Sequence, residues 1–327
     1  MRIGFIGSFN QPNMVGEVSD ETHLAREMEK SGHEVYRIPR DEWREYVIEN
    51  FPKDKYKVPE DIKLDIVICA KWHHFYDGSF INKAREKYEC PVFLWVWDFM
   101  GPDFPDWHIQ MARSADLYLS GEMGLFSKYK ELGVKPYYFQ MDCCDGDIPI
   151  FKNEEKKYDV IFTGSYYQDG HRLEWLKEIN KQVKVIVFGF GYEDWIKNGF
   201  EAYPPVYGSD YNKVIAQSKI VLGFGYTIPC WGYWSNRVGK VLTAKGYLLQ
   251  EYVPGMEQLL PEGLEYFSSP EEAIEKIKYT LASESHRLSC IALNSISLKD
   301  FTSKWKMIEL EKLIERYLKG GSKWNTV

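Results

Sequence analysis

No C-x-x-C pair occurs in this sequence of 327 residues, and its six cysteines are scattered at 69, 90, 143, 144, 230 and 290. That spacing gives no zinc signature, and a disulfide framework is not expected in so long a chain. A reducing compartment is the expectation. Long apolar runs are missing too: no stretch approaches the roughly 18–20 residues that a membrane span needs. The opening MRIGFIGSF reads as a first strand rather than a secretory leader. A cytoplasmic protein with no membrane span is therefore expected. Positive charge is in short supply, with 41 Lys and Arg against 48 Asp and Glu for a formal net charge of −7. This argues against a surface built mainly to hold phosphate backbones, although a local basic groove is compatible with it. The GFG pieces at 189–191 and 223–225 do not complete a G-x-G-x-x-G opening a helix, so a nicotinamide site is not expected. No internal repeat or low-complexity tract stands out.

What is present is a globular composition, 44% hydrophobic and 27% charged, long enough for two domains of about 150 residues. The first third alternates strand and helix patterns. RIGFIG (2–7), HEVYRI (33–38), LDIVICA (64–70), PVFLWVW (91–97), ADLYLS (115–120) and PYYFQ (136–140) read as strands. Between them lie helical patterns from Ser19 or Asp20 to Gly32, near 79–88, near 106–113 and from about 122 to Leu132. Residues 146–157 (GDIPIFKNEEKK) lose all periodicity, and the domain boundary is placed there.

A second series follows: strands at YDVIFTGS (158–165), VKVIVFGFG (183–191), SKIVLGFG (218–225), GYLLQEY (246–252) and LEYF (264–267), with helices near 171–180, 208–217, 235–245 and 270–282. Ser269, Pro270 and Glu272 form a strong helix-start signal. Strands spaced by helices imply parallel sheets covered on both faces. The expected fold is α/β, with an N-terminal Rossmann-like domain over 1–150, a second over 157–300 and an amphipathic helix over 301–320. Two such doubly wound domains would face each other across a cleft, and ligands bind beyond the carboxyl ends of their strands.

The segment from Tyr233 to Leu281 is the most informative. Ser235 and Asn236 stand at a helix start with Arg237 and Lys240 in its first turns. Cations normally avoid a helix N-terminus, whose free N–H groups attract anions; they make sense there if a polyanion is shared between them. The other reading is a plain Ser235 cap with two solvated cations.

The stretches YDVIFTGSYYQDGHRLEWL, VYGSDYNKVIAQSKIVLGFG, YWSNRVGKVLTAKGYLLQEYVPGMEQLL and SSPEEAIEKIKYTL, in this order over residues 158–281, resemble the C-terminal domain of GT-B-fold glycosyltransferases. The resemblance is strongest to the spore-maturation (CgeB-like) group, of the glycosyltransferase group 1 type. FTSKWKMIELEKLIERYL resembles that fold's terminal helix, which crosses back to the first domain. GEVSDETHLAREMEKSGHEV, DIVICAKWHH and VFLWVWD echo its acceptor domain more loosely.

The resemblance implies a hexosyltransferase that takes a sugar from a nucleotide-diphosphate donor, a UDP-sugar first, without a metal or other cofactor. Gly164 and Ser165 would let the backbone approach the diphosphate, and Arg172 would reach its oxygens. Val206 and Tyr207 would border the base. Ser235, Asn236 and Arg237, with Lys240, would hold the phosphates. Retaining relatives often carry two acids with seven residues between them; here the corresponding positions are Gly232 and Lys240, so either ribose recognition differs or the equivalence of these positions does not hold locally.

Asp98, at the end of VFLWVWD, is the candidate general base for the acceptor hydroxyl, against the alternative of a loop-ordering aspartate. His73, beside His74, and Glu17 in the first loop are further candidates. Trp231, Tyr233 and Trp234 adjoin the phosphate loop. The acceptor (a glycan, a protein, a small molecule or a modified DNA base) stays open. Transfer to modified bases in DNA, as in phage-type enzymes, and a non-catalytic nucleotide-sugar-binding protein are the alternatives.

Overall fold

The computed structural model describes residues 1–9, 20–39, 58–59, 61–70, 78–98, 101, 103, 105–141, 150–152, 154–168, 170–225, 230–260, 262–298 and 303–320. The chain divides into two compact units: Met1–Met141 with Ser303–Val327, and Asp142–Thr302. Each unit is built around one parallel sheet.

In the first unit the elements run β1 (Arg2–Gly7), α1 (Asp20–Lys30), β2 (Glu34–Pro39), β3 (Ile66–Ala70), α2 (Gly78–Tyr88), β4 (Val92–Val96), α3 (Asp106–Ser114), β5 (Leu117–Ser120), α4 (Phe126–Glu131) and β6 (Pro136–Tyr138). The strand order is β2-β1-β3-β4-β5-β6, and every pair is parallel. All residues of β3 and β4 are buried, which is why these strands read as unbroken apolar runs and not as alternating ones. Leu24, Ala25 and Met28 on α1 are fully buried, as their shared helix face predicts. Helix α4 is shorter than its sequence pattern: the Glu122 carboxylate bonds the Ser120 hydroxyl and accepts the Leu125 N–H at 3.0 Å. That local turn delays the helix to Phe126. The C-terminal α12 (Ser303–Leu318) belongs to this unit. Tyr317 sets its ring edge-on to Phe93 at 5.1 Å and its hydroxyl 3.3 Å from the Asp116 carboxylate.

The second unit comprises β7 (Tyr158–Thr163), α5 (His171–Gln182), β8 (Val185–Phe188), α6 (Tyr192–Lys197), β9 (Glu201–Tyr203), α7 (Gly208–Ala216), β10 (Ser218–Gly223), α8 (Arg237–Thr243), β11 (Leu248–Glu251), α9 (Met256–Leu259), β12 (Glu265–Phe267), α10 (Pro270–Ala282) and α11 (Glu284–Ser297). Its order is β12-β11-β10-β7-β8-β9, again parallel throughout. The start of α10 is as its sequence predicts. Ser269 accepts the Glu272 N–H at 3.2 Å, and the Glu272 carboxylate accepts the Ser268 N–H at 2.7 Å.

Both sheets are therefore parallel, and helices stand between most successive strands, the doubly wound architecture expected from the alternating pattern. No helix among the described residues is long and apolar enough to cross a membrane.

Candidate functional site

The strand order of the second sheet locates its functional end. From β7 the chain moves outward to β8 and β9, then returns to place β10 on the other side of β7. The connections leaving β7 and β10 part in opposite directions, and in open parallel sheets such a switch point opens the ligand crevice at the carboxyl ends.

Those ends are packed backbone to backbone. Gly164 donates its N–H to Phe188 O at 2.9 Å, and Tyr166 donates to Phe190 O at 2.8 Å. A Cβ on Gly189 would lie 1.9 Å from Gly164 O, so only glycine lets the two loops meet.

Arg237, the first residue of α8, closes the switch point from above the strand ends. Its Nε donates to Thr163 O at 2.5 Å, and its Nη1 donates to Phe224 O at 2.9 Å, with Ser235 Oγ at 3.4 Å. One guanidinium thus ties the last residue of β7 to the residue after β10. Its carbon stands 4.9 Å from the centre of the Phe162 ring. The remaining nitrogen, Nη2, faces Gly164, where an added Cβ would sit 2.8 Å away.

No carboxylate among the described residues pairs with this group; its charged surroundings are the Tyr211 and Tyr233 hydroxyls. Burial pushes its pKa down and those hydroxyls push it up, yet an arginine stays charged in any protein setting. A partly buried cation with no carboxylate beside it among the described residues carries a desolvation cost. An anion arriving at Nη2 would remove that cost.

The other cations cluster near it. Arg172, buried on the first turn of α5, donates Nη2 to Ser165 O at 2.9 Å and lies over the Phe162 and Tyr167 rings at 5.5 and 5.0 Å. Ser165 is thereby held by its carbonyl. Tyr211 shares a hydrogen bond with Thr163 Oγ1 at 3.3 Å. Burial pushes the Tyr211 pKa up, while the Thr163 contact and the charges of Arg237 and Lys240 pull it back, which puts Lys240 in the same neighbourhood.

Helix α8 runs Arg237–Thr243, shorter at both ends than the 235–245 pattern, and no side chain caps its start at Asn236. The Ser235 hydroxyl faces Arg237 instead. The plain serine cap is therefore not what the fold uses. Val206 and Tyr207 precede α7, with the exposed Phe190 ring 6.0 Å from that of Tyr207. Tyr233 and Trp234 are buried.

One pair escaped the sequence reading. Glu251, buried at the end of β11, makes a short contact with His171 Nε2 and accepts the Gly225 N–H at 3.0 Å. The bond to Glu251 raises the His171 pKa, against the pull of burial. Eighty residues separate the partners, so no local motif marks them. The pair ties the start of α5 to the loop after β10, the two segments that border the switch point.

In the first unit, Asp98 follows the end of β4 by two residues and is exposed. Glu17 and His73, with His74, lie outside the described residues.

Comparison with known proteins adds to this geometry. Residues 171–312 match the glycosyl transferase-like family model. A search of curated proteins finds no match. Solved structures match over nearly the whole chain at low identity. T4 phage BGT with its UDP-glucose substrate is 14% identical with a TM-score of 0.64, covering 97% of this chain and 99% of that one. Anabaena HepE in complex with UDP-glucose is 11% identical at 0.65, covering 98% and 100%. An α-glucosyltransferase bound to UDP and a DNA containing an HMU base is 13% identical at 0.67, covering 96% and 99%. At these identities the likeness concerns architecture, and it is unambiguous there: the chain has the two-Rossmann-unit GT-B fold of these glucosyltransferases.

Proposed function

We propose that this protein is a glycosyltransferase that binds a nucleotide-diphosphate sugar, with UDP as its nucleotide, in the second unit, and transfers the sugar to an acceptor hydroxyl. The observation that carries the reading is Arg237: a partly buried guanidinium with no carboxylate partner among the described residues, placed at the switch point with Nη2 directed at Gly164. A diphosphate supplies the missing negative charge, and the planar fork of arginine suits paired phosphate oxygens. The matching family model over 171–312 and the UDP-glucose complexes of fold neighbours support the same assignment. Within the fold, the spore-maturation (CgeB-like) group is the assignment that the order of the sequence stretches favours.

In this reading Arg237, Lys240 and Arg172 neutralise the diphosphate, with Ser235, Asn236, Gly164 and Ser165 bordering it. Val206 and Tyr207 border the base. The acceptor oxygen forms its bond to the anomeric carbon as the bond from that carbon to the diphosphate oxygen breaks. The electron pair leaves on the diphosphate, where fixed cations stabilise it without requiring a metal. Asp98 takes the acceptor proton, with Glu17 and His73 as further candidates for acceptor-side roles.

Calorimetry with UDP tests the core of this. Arg237→Lys keeps the charge but loses the fork, and should weaken UDP at least roughly tenfold; Arg237→Ala should abolish measurable binding. Unchanged affinity in either folded variant would falsify the donor site. Asp98→Asn should leave UDP binding intact and slow transfer by about 10²–10⁴, with a chelator having no effect on the wild-type rate.

A second reading, transfer to a modified DNA base, is favoured by the fold neighbour that holds UDP together with DNA. The net charge of −7 weighs against it. Sugar incorporation into hydroxymethylated duplex DNA, falling steeply with added salt, would establish it. A non-catalytic sugar-nucleotide-binding protein is eliminated by any turnover of the donor.

A further inference from the structure

On the edge strand of the second sheet, apart from the switch point by β11 and β10, three metal-binding side chain types converge. Glu265 comes from β12; His286 and Cys290 are four residues apart on α11 and so share one face. One ligand atom from each lies within 4.8 Å of the other two. His286 Nε2 is 2.9 Å from Glu265 Oε2 and 3.8 Å from Cys290 Sγ.

Two features separate this cluster from ordinary hydrogen bonding and from a nucleophilic triad. The carboxylate and the sulfur both approach the same ring nitrogen. A triad uses the two imidazole nitrogens for different partners, and a single N–H points well at only one acceptor. A cation placed among the three satisfies all of them. The carboxylate is also held in place from outside: the Tyr247 hydroxyl makes a short contact with Glu265 Oε2 and sits 3.2 Å from Thr280 Oγ1. Partners that orient a ligating carboxylate in this way are typical of real metal sites.

We propose that Glu265, His286 and Cys290 form a Zn²⁺ site with one coordination position left to water. The ligand set is the borderline nitrogen, oxygen and sulfur combination that Zn²⁺ takes tetrahedrally. Ideal bond lengths put tetrahedral nitrogen–oxygen and nitrogen–sulfur pairs roughly 3.4 and 3.6 Å apart. The two measured pairs need to move by about half an ångström or less. Solvent reaches the site through the carboxylate and imidazole, whose side chains are 27% and 25% exposed, while Cys290 is buried.

Burial, and then the Glu265 charge, push the free thiol up to about 11. The ion has to displace the thiol proton on binding. The consequence for the fold is a staple between α11 and the edge of the sheet.

The test is a Co²⁺ titration of the full, tag-free protein after chelator treatment. We expect a sulfur-to-cobalt charge-transfer band in the near ultraviolet and visible bands of tetrahedral intensity, both abolished by added Zn²⁺. Cys290→Ser should lose the charge-transfer band. Glu265→Gln, which keeps an acceptor for Tyr247, should bind Co²⁺ at least roughly tenfold more weakly; it serves if the cysteine variant does not fold. A titration with no charge-transfer band overturns the site, as does a band that persists in Cys290→Ser or an unchanged affinity in Glu265→Gln. Saturating UDP should not release the ion; release would move the metal to the donor site and overturn the assignment made here, leaving the donor reading standing.

Discussion

Replacing Gly164 by alanine is the smallest change that asks whether the Arg237 guanidinium holds the donor. The new Cβ would lie 2.7 Å from Phe162 Cζ and 2.8 Å from Arg237 Nη2. Comfortable contacts begin near 3.5 Å, so one or both neighbours must retreat by roughly 0.7 Å. Phe162 is fully buried, with Trp195 and Phe224 edge-on to its ring at 5.8 and 5.9 Å, and cannot move far. Arg237 is anchored through Nε and Nη1 to two carbonyls, so the free nitrogen must swing away while the anchors stretch. Backbone strain plays no part, because Gly164 is not among the positive-φ glycines.

Losing one charge-assisted hydrogen bond costs about 1.5–3 kcal/mol. UDP should then bind roughly 10–150 times more weakly. Overpacking should lower stability by about 1–3 kcal/mol in the same variant. Calorimetry at fixed ionic strength reads the first quantity and denaturant unfolding the second.

Gly199→Ala is the matched control in the same unit. Its φ is +88° and nothing lies within 4 Å of an added Cβ, so it should lose about 1 kcal/mol of stability with UDP affinity unaltered. If the Gly164 variant is destabilised as expected yet binds UDP within about twofold of wild type, Arg237 does not touch the diphosphate and the reasoning fails.

Further outcomes follow from other contacts. The Glu251 bond raises the His171 pKa, so the pair contributes fully below the unfolded imidazole value of about 6.5 and is lost as pH rises through the raised folded value. Glu251→Gln should therefore be more destabilised at pH 6 than at pH 9; equal losses in denaturant melts at both would reject the ion pair. Ser269→Ala removes the cap on the Glu272 N–H and should cost about 1 kcal/mol, read as a lower unfolding midpoint with no change in UDP affinity. Lys240→Glu replaces with a negative charge the positive one that, together with that of Arg237, pulls the Tyr211 pKa down. It should weaken UDP while melting near the wild-type temperature.

The central strands were legible because they are buried on both faces, and each of the eleven strand segments read from the sequence coincides with a strand. What escaped is short or mixed. The three-residue β9 and the six-residue α6 are too brief to show a period. Helix α11, with its serines and scattered polar residues, lacks a clean apolar face. The site divides along the same line. Arg237 was visible as a cation in the wrong half of a helix, a local anomaly. Its bonds to Thr163 and Phe224, 74 and 13 residues away, depend on which strands lie side by side, and strand order is not written in any one segment. The His171–Glu251 pair and the approach of Glu265 to His286 are non-local in the same sense, although the four-residue spacing of His286 and Cys290 was there to be read.

The absent acidic pair now has a physical account at both of its positions. Gly232 has φ +77° and donates its N–H to Pro254 O at 2.9 Å, so its backbone is in the left-handed region that a glutamate would occupy only with strain. Lys240 sits one turn into α8, where its charge adds to that of Arg237 against Tyr211. An acid at either position would have to be accommodated by a changed loop or would cancel a cation. Among the described residues, the buried acid near the switch point is Glu251, and its two oxygens are committed, one to His171 and the other to the Gly225 N–H. It braces the loops and does not neutralise Arg237. Among the described residues, Arg237, Lys240 and Arg172 thus keep a surplus of positive charge near these strand ends in a protein that is acidic as a whole, which is the arrangement a diphosphate would complete and a neutral sugar alone would not.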